Sequence, residues 1–287
     1  MSPSIAPTPH NRHPDTRGEH LHYFSQKVIV IKLGGSIFAS SGTILEDVVT
    51  LWKRGIASVV VHGGANRVSD WLRRLGISTR LVDGLRVTDA QTLQVVVAVL
   101  GGLVNKELVA TIESSGGKAI GLSGVDGGLI QARIKDPEMG YVGEIAKVDP
   151  GLLRDVLDLG YIPVIAPVSL GVPTGDGGGR ELLNINGDTA AGEIAAALDA
   201  GRLIFLTDVV GICDESGRLI AHLSPAEARL LLSSGVASGG MIPKIKASLR
   251  ALSTVPVTRI IDGRTPHALL DEMEGKVRGT AIAGGEQ

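Results

Sequence analysis

The chain has 287 residues, 44% hydrophobic and 20% charged, with a formal net charge of −2. That length suffices for one large or two ordinary domains, and the near-neutral balance gives no global field that would recruit nucleic acid or an anionic membrane. A single cysteine, Cys213, excludes an internal disulfide and a cysteine-rich metal site and suits a reducing cytoplasm, the expected location, while 3% aromatics is too few for a base-stacking platform.

Residues 1–24 contain Pro3, Pro7, Pro9 and Pro14, with His10, His13, His20 and His22 and no apolar run. They read as a disordered tail and not as a signal peptide. No later stretch approaches the ~18 uninterrupted apolar residues of a membrane span. The β-branched run from Val28 to Ile31 reads as a buried strand that ends in Lys32, Leu33, Gly34 and Gly35. A lysine there fixes a positive charge at the carboxyl edge of the sheet, where α/β folds hold ligands. The glycines let backbone amides approach an anion.

A helix is predicted over 44–54, with Leu45, Val48, Val49 and Trp52 on one face and Gly55 as its stop. Residues 58–62 form a second buried strand, again ending in glycines, Gly63 and Gly64. Two strand–Gly–Gly units one βαβ spacing apart bring both turns to the same sheet edge, because the crossover is right-handed. A short amphipathic helix follows over 66–75, then a turn-rich segment over 82–89 carrying Arg86. Thr88 and Gln91 form a capping box that opens a helix over 89–114. Its middle, 93–104, is apolar nearly all round and includes Gly101 and Gly102. Such a helix is buried on several sides, and paired glycines cost about 1 kcal/mol each unless close packing offsets them. It reads as a two-fold subunit interface; a core helix of a monomer is the alternative.

Further along, 118–128 reads as a strand and glycine turn, 143–148 as a strand, 150–159 as a helix and 161–168 as a strand. Residues 171–180 read as a mobile glycine-rich loop. A helix opens around Asn184 and runs to Ala200, with Asp188 at its start, where an N-cap is the simpler role. A strand over 203–207 leads into Asp208, Val209 and Gly211. A helix spans 225–234, a glycine-bearing loop 235–244 carries Lys244, and a helix spans 246–253. The last clear strand is 258–261 and the last helix 267–273. About eight strands alternating with helices predict an α/β fold, a three-layer αβα sandwich around a central, mostly parallel sheet. The sheet is expected to run continuously through both halves, with a cleft where they divide near residue 180.

The familiar phosphate and hydrolase motifs are missing. There is no G-x-x-x-x-G-K-[ST], no G-x-G-x-x-G after the first strand, no G-x-S-x-G, and no His or Cys spacing that suits zinc. What remains is Lys32, Lys244, Asp188 and a set of glycine amides. Two lysines with a carboxylate between them suit phosphoryl transfer, whose catalysis is mostly positioning and electrostatics.

Taken together, Lys32-Leu-Gly-Gly35, His62-Gly-Gly64, Val82 to Asp89, Val104-Asn-Lys-Glu107, Gly121 to Gly127, Tyr141-Val-Gly-Glu144, Gly160 to Pro167, Asn184 to Ala191, Leu206-Thr-Asp-Val209, Ser238 to Lys244 and Ile261-Asp-Gly-Arg264 resemble the N-acetylglutamate kinases of the amino acid kinase family, in unbroken order over 27–280. The resemblance implies ATP-dependent phosphorylation of the side-chain carboxylate of N-acetyl-L-glutamate, a step of arginine biosynthesis. By the same resemblance Lys32 and Lys244 are transition-state lysines and Asp188 orients them. Gly63, Gly64, Arg86 and Asn184 are implied substrate contacts. Gly34, Gly35, Thr207, Asp208, Val209, Gly211, Ser238, Gly239, Gly240 and Met241 are implied on the nucleotide and phosphate side. Mg²⁺ is expected to ride on the ATP phosphates, with no protein metal site. Residues 25–180 become the amino-acid and dimerisation lobe, and 181–287 the nucleotide lobe.

The chain departs from the family in places. Ala65-Asn-Arg-Val68 replaces Gly-Pro-x-Ile, the loop 171–180 is longer and richer in glycine, and 272–280 is altered and shorter. The proline-rich start leaves no long N-terminal helix. These features imply a homodimer through helix 89–114 with weak or no arginine feedback. Two readings stay open beside the main one: a related kinase for carrier-linked aminoadipate, glutamate or carbamate, and a catalytically silent sensor of amino acid or nucleotide.

Overall fold

The computed structural model describes residues 27–35, 41–82, 84–173, 181–237, 239–276 and 278–284. The predicted tail 1–24, loop residues 174–180 and Ser238 lie outside the described residues. In chain order come β1 (Ile29–Leu33), α1 (Ser41–Lys53), β2 (Ser58–His62), α2 (Ala65–Arg74) and a short hairpin of β3 (Leu81–Val82) and β4 (Leu85–Arg86). A continuous 25-residue helix follows, made of α3 (Ala90–Val97), a π-helical stretch (Ala98–Val104) and α4 (Asn105–Ser114). Then come β5 (Ala119–Ser123), β6 (Ile130–Ile134), β7 (Gly143–Val148), α5 (Gly151–Asp158), β8 (Ile162–Ala166), β9 (Val168–Gly171) and β10 (Leu182–Asn184). The second half holds α6 (Gly187–Ala197), β11 (Arg202–Thr207), β12 (His222–Leu223), α7 (Pro225–Ser233), α8 (Met241–Ala251), β13 (Val257–Asp262), α9 (Ala268–Met273) and β14 (Gly279–Ala283).

Among the described residues, eight strands form one sheet in the order β12-β14-β13-β11-β1-β2-β8-β5. All neighbours are parallel except β13 and β14. β1 sits between β11 and β2, so the sheet runs through both halves of the chain, as expected. Each residue of β1 is buried, which its β-branched run favours. Alternate residues of β1 feed opposite cores. Ile29, Ile31 and Leu33 pack with Ile44, Leu45 and Val48 of α1 and Leu108 of α4. Val30 packs with Ala190 and Ile194 of α6 and Ile245 of α8. By the period of two, Lys32 shares the face of Val30 and so points to the layer of α6 and α8. A smaller sheet, β10-β9-β6-β7, lies beside the carboxyl edge and delivers β10 into α6.

Several expectations are corrected. The helix at 89–114 is capped by Asp89 and not by the Thr88 box. The Asp89 side chain accepts from Thr92 N at 2.7 Å, while Thr88 Oγ1 donates to Arg86 O at 2.8 Å. The predicted strand 161–168 divides at Pro167 into β8 and β9, which join different sheets. β6, β10, β12 and β14 were not predicted, and β14, not 258–261, is the last strand. Gly171 closes β9 and is not part of a loop. Lys244 lies in the first turn of α8, not in a loop. Pro243 beside it is tolerated because amides of a first helical turn have no intrahelical acceptor to lose.

Helices α6 and α8 touch at Gly192. A Cβ there would lie 2.7 Å from Ala247 O and 3.0 Å from Ala247 Cβ. In a free helix Gly→Ala stabilises by about 1 kcal/mol. Here the sign reverses: Gly192→Ala is expected to destabilise by about 1–3 kcal/mol, read by urea unfolding, because α8 must move outward. A more stable variant would contradict this packing.

Candidate active site

The carboxyl edge of the large sheet is where the sequence-predicted residues meet. Lys32, in the last turn of pairing of β1, is 6% exposed, and Asp188, in the first turn of α6, is 5% exposed. Lys32 Nζ lies 2.7 Å from Asp188 Oδ1, and Lys244 Nζ lies 3.3 Å from Asp188 Oδ2. One carboxylate therefore holds two ammonium groups, one on each oxygen. Oδ1 has no well-aligned hydrogen-bond donor, so the Lys32 contact is chiefly coulombic. Lys244 Nζ also donates to Gly240 O at 3.2 Å. Burial alone would raise the Asp188 carboxyl, but Lys32 and Lys244 outweigh it and hold it below its usual range. Burial lowers Lys244, against the pull of Asp188, and Lys32 adds repulsion.

Asp188 is free for this role because Asn186 takes the N-cap. Asn186 Oδ1 accepts from Asp188 N at 2.9 Å and from Thr189 N at 3.0 Å. The simpler reading of Asp188 as a cap is thereby overturned. An asparagine two residues ahead of the carboxylate is a sequence signal that could have settled it.

The two glycine turns converge as expected. A Cβ on Gly35 would lie 3.0 Å from Gly64 N. Their amides are not equivalent, however. Gly34 N donates to Leu206 O at 3.0 Å and Gly63 N to Leu33 O at 2.9 Å, so these two amides join strands. Among the described residues no backbone acceptor takes the amides of Gly35 and Gly64, which leaves those two to face an anion. Gly64 has φ 149°, a conformation that only glycine adopts readily, and it caps α2 without any side chain. Gly240 likewise caps α8 without a side chain. Two helix N-termini that no side chain caps among the described residues thus open beside the lysines, an arrangement that favours anions.

A cavity of about 220 Å³ lies against Lys32 and Asp188 and is lined also by Gly64, Arg86 and Asn184. Arg86 Nη2 donates to Ser69 Oγ at 2.6 Å and to Ala65 O at 3.2 Å. Burial lowers its pKa without discharging a guanidinium. Asn184 Nδ2 donates to Thr88 Oγ1 at 3.1 Å. Thr88, Ser69 and the Ala65 carbonyl support these two contacts and were not anticipated, because they act across distant parts of the chain. Val68, Val96 and Leu100 give the cavity an apolar wall. A larger cleft, about 800 Å³, is lined by Arg202, His222, Arg259 and Glu272 at the opposite edge of the sheet and touches none of the predicted site residues.

On the other side of Asp188, Thr207 Oγ1 donates to Asp208 Oδ1 at 3.3 Å at the end of β11. Val209 is exposed. Gly211 has a packing reason to be glycine, since a Cβ would lie 2.7 Å from Thr280 Oγ1. Gly239 has φ 52°, and Gly240 and Met241 open α8 beside Lys244.

Known proteins share this plan. The sequence profile of the amino acid kinase family matches residues 27–262. An acetylglutamate kinase of Dehalococcoides mccartyi is 49% identical over 260 residues, 91% of this chain and 96% of that protein. The acetylglutamate kinase of Heliobacterium modesticaldum is 45% identical over 273 residues, 88% of this chain and 90% of that protein. Among solved structures, N-acetylglutamate synthase from Neisseria gonorrhoeae, complexed with coenzyme A and N-acetyl-glutamate, superposes with TM-score 0.77 at 27% identity, over 91% of this chain and 60% of that chain. Carbamate kinase from Giardia lamblia shares the fold, with TM-score 0.65 at 17% identity over 91% of this chain and 99% of that one.

Replacing Asp188 by Asn would leave two buried ammonium groups facing each other. Removing one partner of a buried ion pair costs about 3–5 kcal/mol. Asp188→Asn is expected to lose stability on that scale in a denaturant titration, and Lys32→Met placed in the same chain is expected to restore part of it. A neutral Asp188→Asn would show that the carboxylate does not hold the pair.

Proposed function

The chain belongs to the amino acid kinase family, and from that premise we propose that it phosphorylates the side-chain carboxylate of N-acetyl-L-glutamate with ATP, a reaction of arginine biosynthesis. The observation that carries the proposal is the pair of lysines on one buried aspartate, beside a cavity with Arg86 and Asn184 in its wall. In this reading Arg86 clamps the α-carboxylate of the substrate, and Asn184 orients its amide region. The side-chain carboxylate then points toward Lys32. The nucleotide lies on the side of Thr207 to Gly211 and residues 238–241. Residues 25–180 serve the amino acid and residues 181–287 the nucleotide.

The chemistry needs no general base. A carboxyl group with a reference pKa of about 4.3 is ionised at neutral pH. A lone pair on its oxygen forms the bond to the γ-phosphorus, and the bond to the bridging oxygen breaks with its electron pair leaving on ADP. The barrier lies in bringing one anion to another. Lys32 and Lys244 offset that repulsion, and the amides of Gly35 and Gly64 add donors where charge spreads over the equatorial oxygens. Asp188 keeps the ammonium groups at a fixed separation. Both its oxygens face lysines, which suits a Mg²⁺ carried by nucleotide phosphates and water and not by a protein cage. That ion screens the phosphate charge.

The chain is a homodimer through the helix Ala90–Ser114, in the cytoplasm, with weak or no response to arginine. In support, Cβ atoms on Gly101 and Gly102 would meet open space, and β5 ends the large sheet. The helix is long and apolar enough to cross a membrane by composition. Its packing against both α1 and α2 suits a core helix with one face turned to a second copy.

The pure protein is expected to form acyl hydroxamate from hydroxylamine only when ATP, Mg²⁺ and N-acetylglutamate are all present. Failure with N-acetylglutamate but turnover of glutamate or carbamate would overturn the substrate. Lys32→Arg keeps charge but spreads it, and is expected to lower kcat steeply with little change in KM. Arg86→Lys is expected to raise the KM for N-acetylglutamate about 10–100-fold while the KM for ATP holds, the scale of a lost charged hydrogen bond. A monomer at micromolar concentration in sedimentation would refute the dimer.

A further inference from the structure

We propose that His62 and Asn105 are positioning residues for the phosphoryl transfer: Asn105 fixes which nitrogen of the His62 ring carries the proton, and that proton holds the Gly63 carbonyl and the turn that presents the Gly64 amide. The proposal rests on the kinase reading only for the reaction it assists. Both side chains are buried, at 0% and 1% exposure, and neither has a role in the mechanism above.

The polarity of the chain of contacts follows from which atoms can donate. Lys106 Nζ, which can only donate, lies 3.1 Å from Asn105 Oδ1. The amide is therefore turned with Nδ2 away from Lys106. Nδ2 faces Val164 O at 2.8 Å, Leu122 O at 3.2 Å and His62 Nε2 at 3.3 Å. The two carbonyls can only accept, and Nδ2, with two protons and no capacity to accept, offers the ring nitrogen a donor shared with them and never an acceptor. The Nε2 of His62 then carries a lone pair, and Nδ1 carries the hydrogen. Nδ1 lies 2.8 Å from Gly63 O and donates to it. The opposite tautomer would set a lone pair against the carbonyl and an N–H against an amide N–H. Both ring nitrogens are thus engaged, and the ring is not placed to act as a base.

The linkage joins two distant features of the fold. Asn105 is the first residue of α4, where the π-helical stretch ends, and π turns recur at functional positions because they alter which side chain points inward. Its amide ties the carboxyl ends of β2, β5 and β8 together beneath the glycine turn. Gly187, which opens α6, is packed against the same turn, since a Cβ there would lie 3.3 Å from His62 O and 3.6 Å from Lys32 Cε. Among the charged groups near the ring is Lys32, with Asp188 upon it, and Lys106 reaches the ring only through Asn105. Burial and the Lys32 charge lower the His62 pKa to about 4, against the pull of the Gly63 carbonyl, so the ring stays neutral through ordinary working pH.

The test begins with the intact protein. Nitrogen-15 NMR of the wild type is expected to show the His62 ring as the Nδ1–H tautomer, unchanged from pH 6 to 8.5. A ring in the Nε2–H form, or one that titrates near 6.5, overturns the proposal. Asn105→Asp adds a carboxylate at Nε2 and favours an imidazolium, which keeps the bond to Gly63 O and gains one to Asp. As pH rises that ring loses a proton and one of the two bonds with it. The kcat of N105D relative to wild type is therefore expected to fall about fivefold or more between pH 6 and 8.5, with both KM values within about threefold. A ratio independent of pH overturns the relay. Lys106→Met guards against a misfolded N105D, because that side chain is exposed. It releases Asn105 Oδ1 and is expected to shift part of the ring to Nε2–H and lower kcat about two- to fivefold. An unmoved ring and an unmoved kcat in K106M overturn the relay. A wild type with the Nδ1–H ring but no turnover of N-acetylglutamate overturns the substrate instead, so the two failures are distinct.

Discussion

Two ammonium groups held almost out of water by one carboxylate are the constraint on which this structure depends. Neither lysine could be buried alone, since an unpaired charge in a low-dielectric interior costs several kcal/mol. Asp188 offers an oxygen to each, and that sharing leaves a net positive site. The fold is arranged to make the sharing possible. Lys32 is fixed by a strand hydrogen-bonded on both sides, Asp188 by the first turn of α6, and Lys244 by the first turn of α8. The close contact at Gly192 sets the distance between the two helices and so the reach of Lys244.

The glycine turns divide their labour in a way that follows from strand register. Gly34 and Gly63 extend the hydrogen-bonding of β1 toward β11 and β2, respectively. The amides of Gly35 and Gly64, one residue further on, have no backbone acceptor among the described residues. Leu33 and His62 end their strands in register, so the two turns begin side by side. The positive end of α2 then begins at Gly64, so amides and helix dipole act at one point.

Much of this was legible in the sequence because it is local. A β-branched strand ending in lysine and glycines announces its own burial and its own edge, and its repetition at 58–64 announces a parallel neighbour. The rest is ambiguous locally or depends on partners far away in the chain. Asp188 looked like a helix cap until Asn186 was seen to hold that place. Lys244 looked like a loop residue because Gly239, Gly240 and Pro243 surround it, although all three are compatible with a helix start. The small sheet escaped notice because β9 and β10 are short and β6 exposes Arg133 and Ile134 at its end, leaving little alternation to read. His62 and Asn105 are 43 residues apart, and no periodicity links them.

The shared aspartate also sets what the pocket will tolerate. With both lysines already leaning on an internal counter-ion, a small stray anion must draw them from a partner it cannot replace as neatly. Inorganic phosphate or a small monocarboxylate gains little by settling there. A ligand that grips elsewhere as well, through a purine at one end or an α-carboxylate at the other, can offset that competition. Selectivity for large, multiply anchored molecules thus comes from an anion the protein supplies against itself.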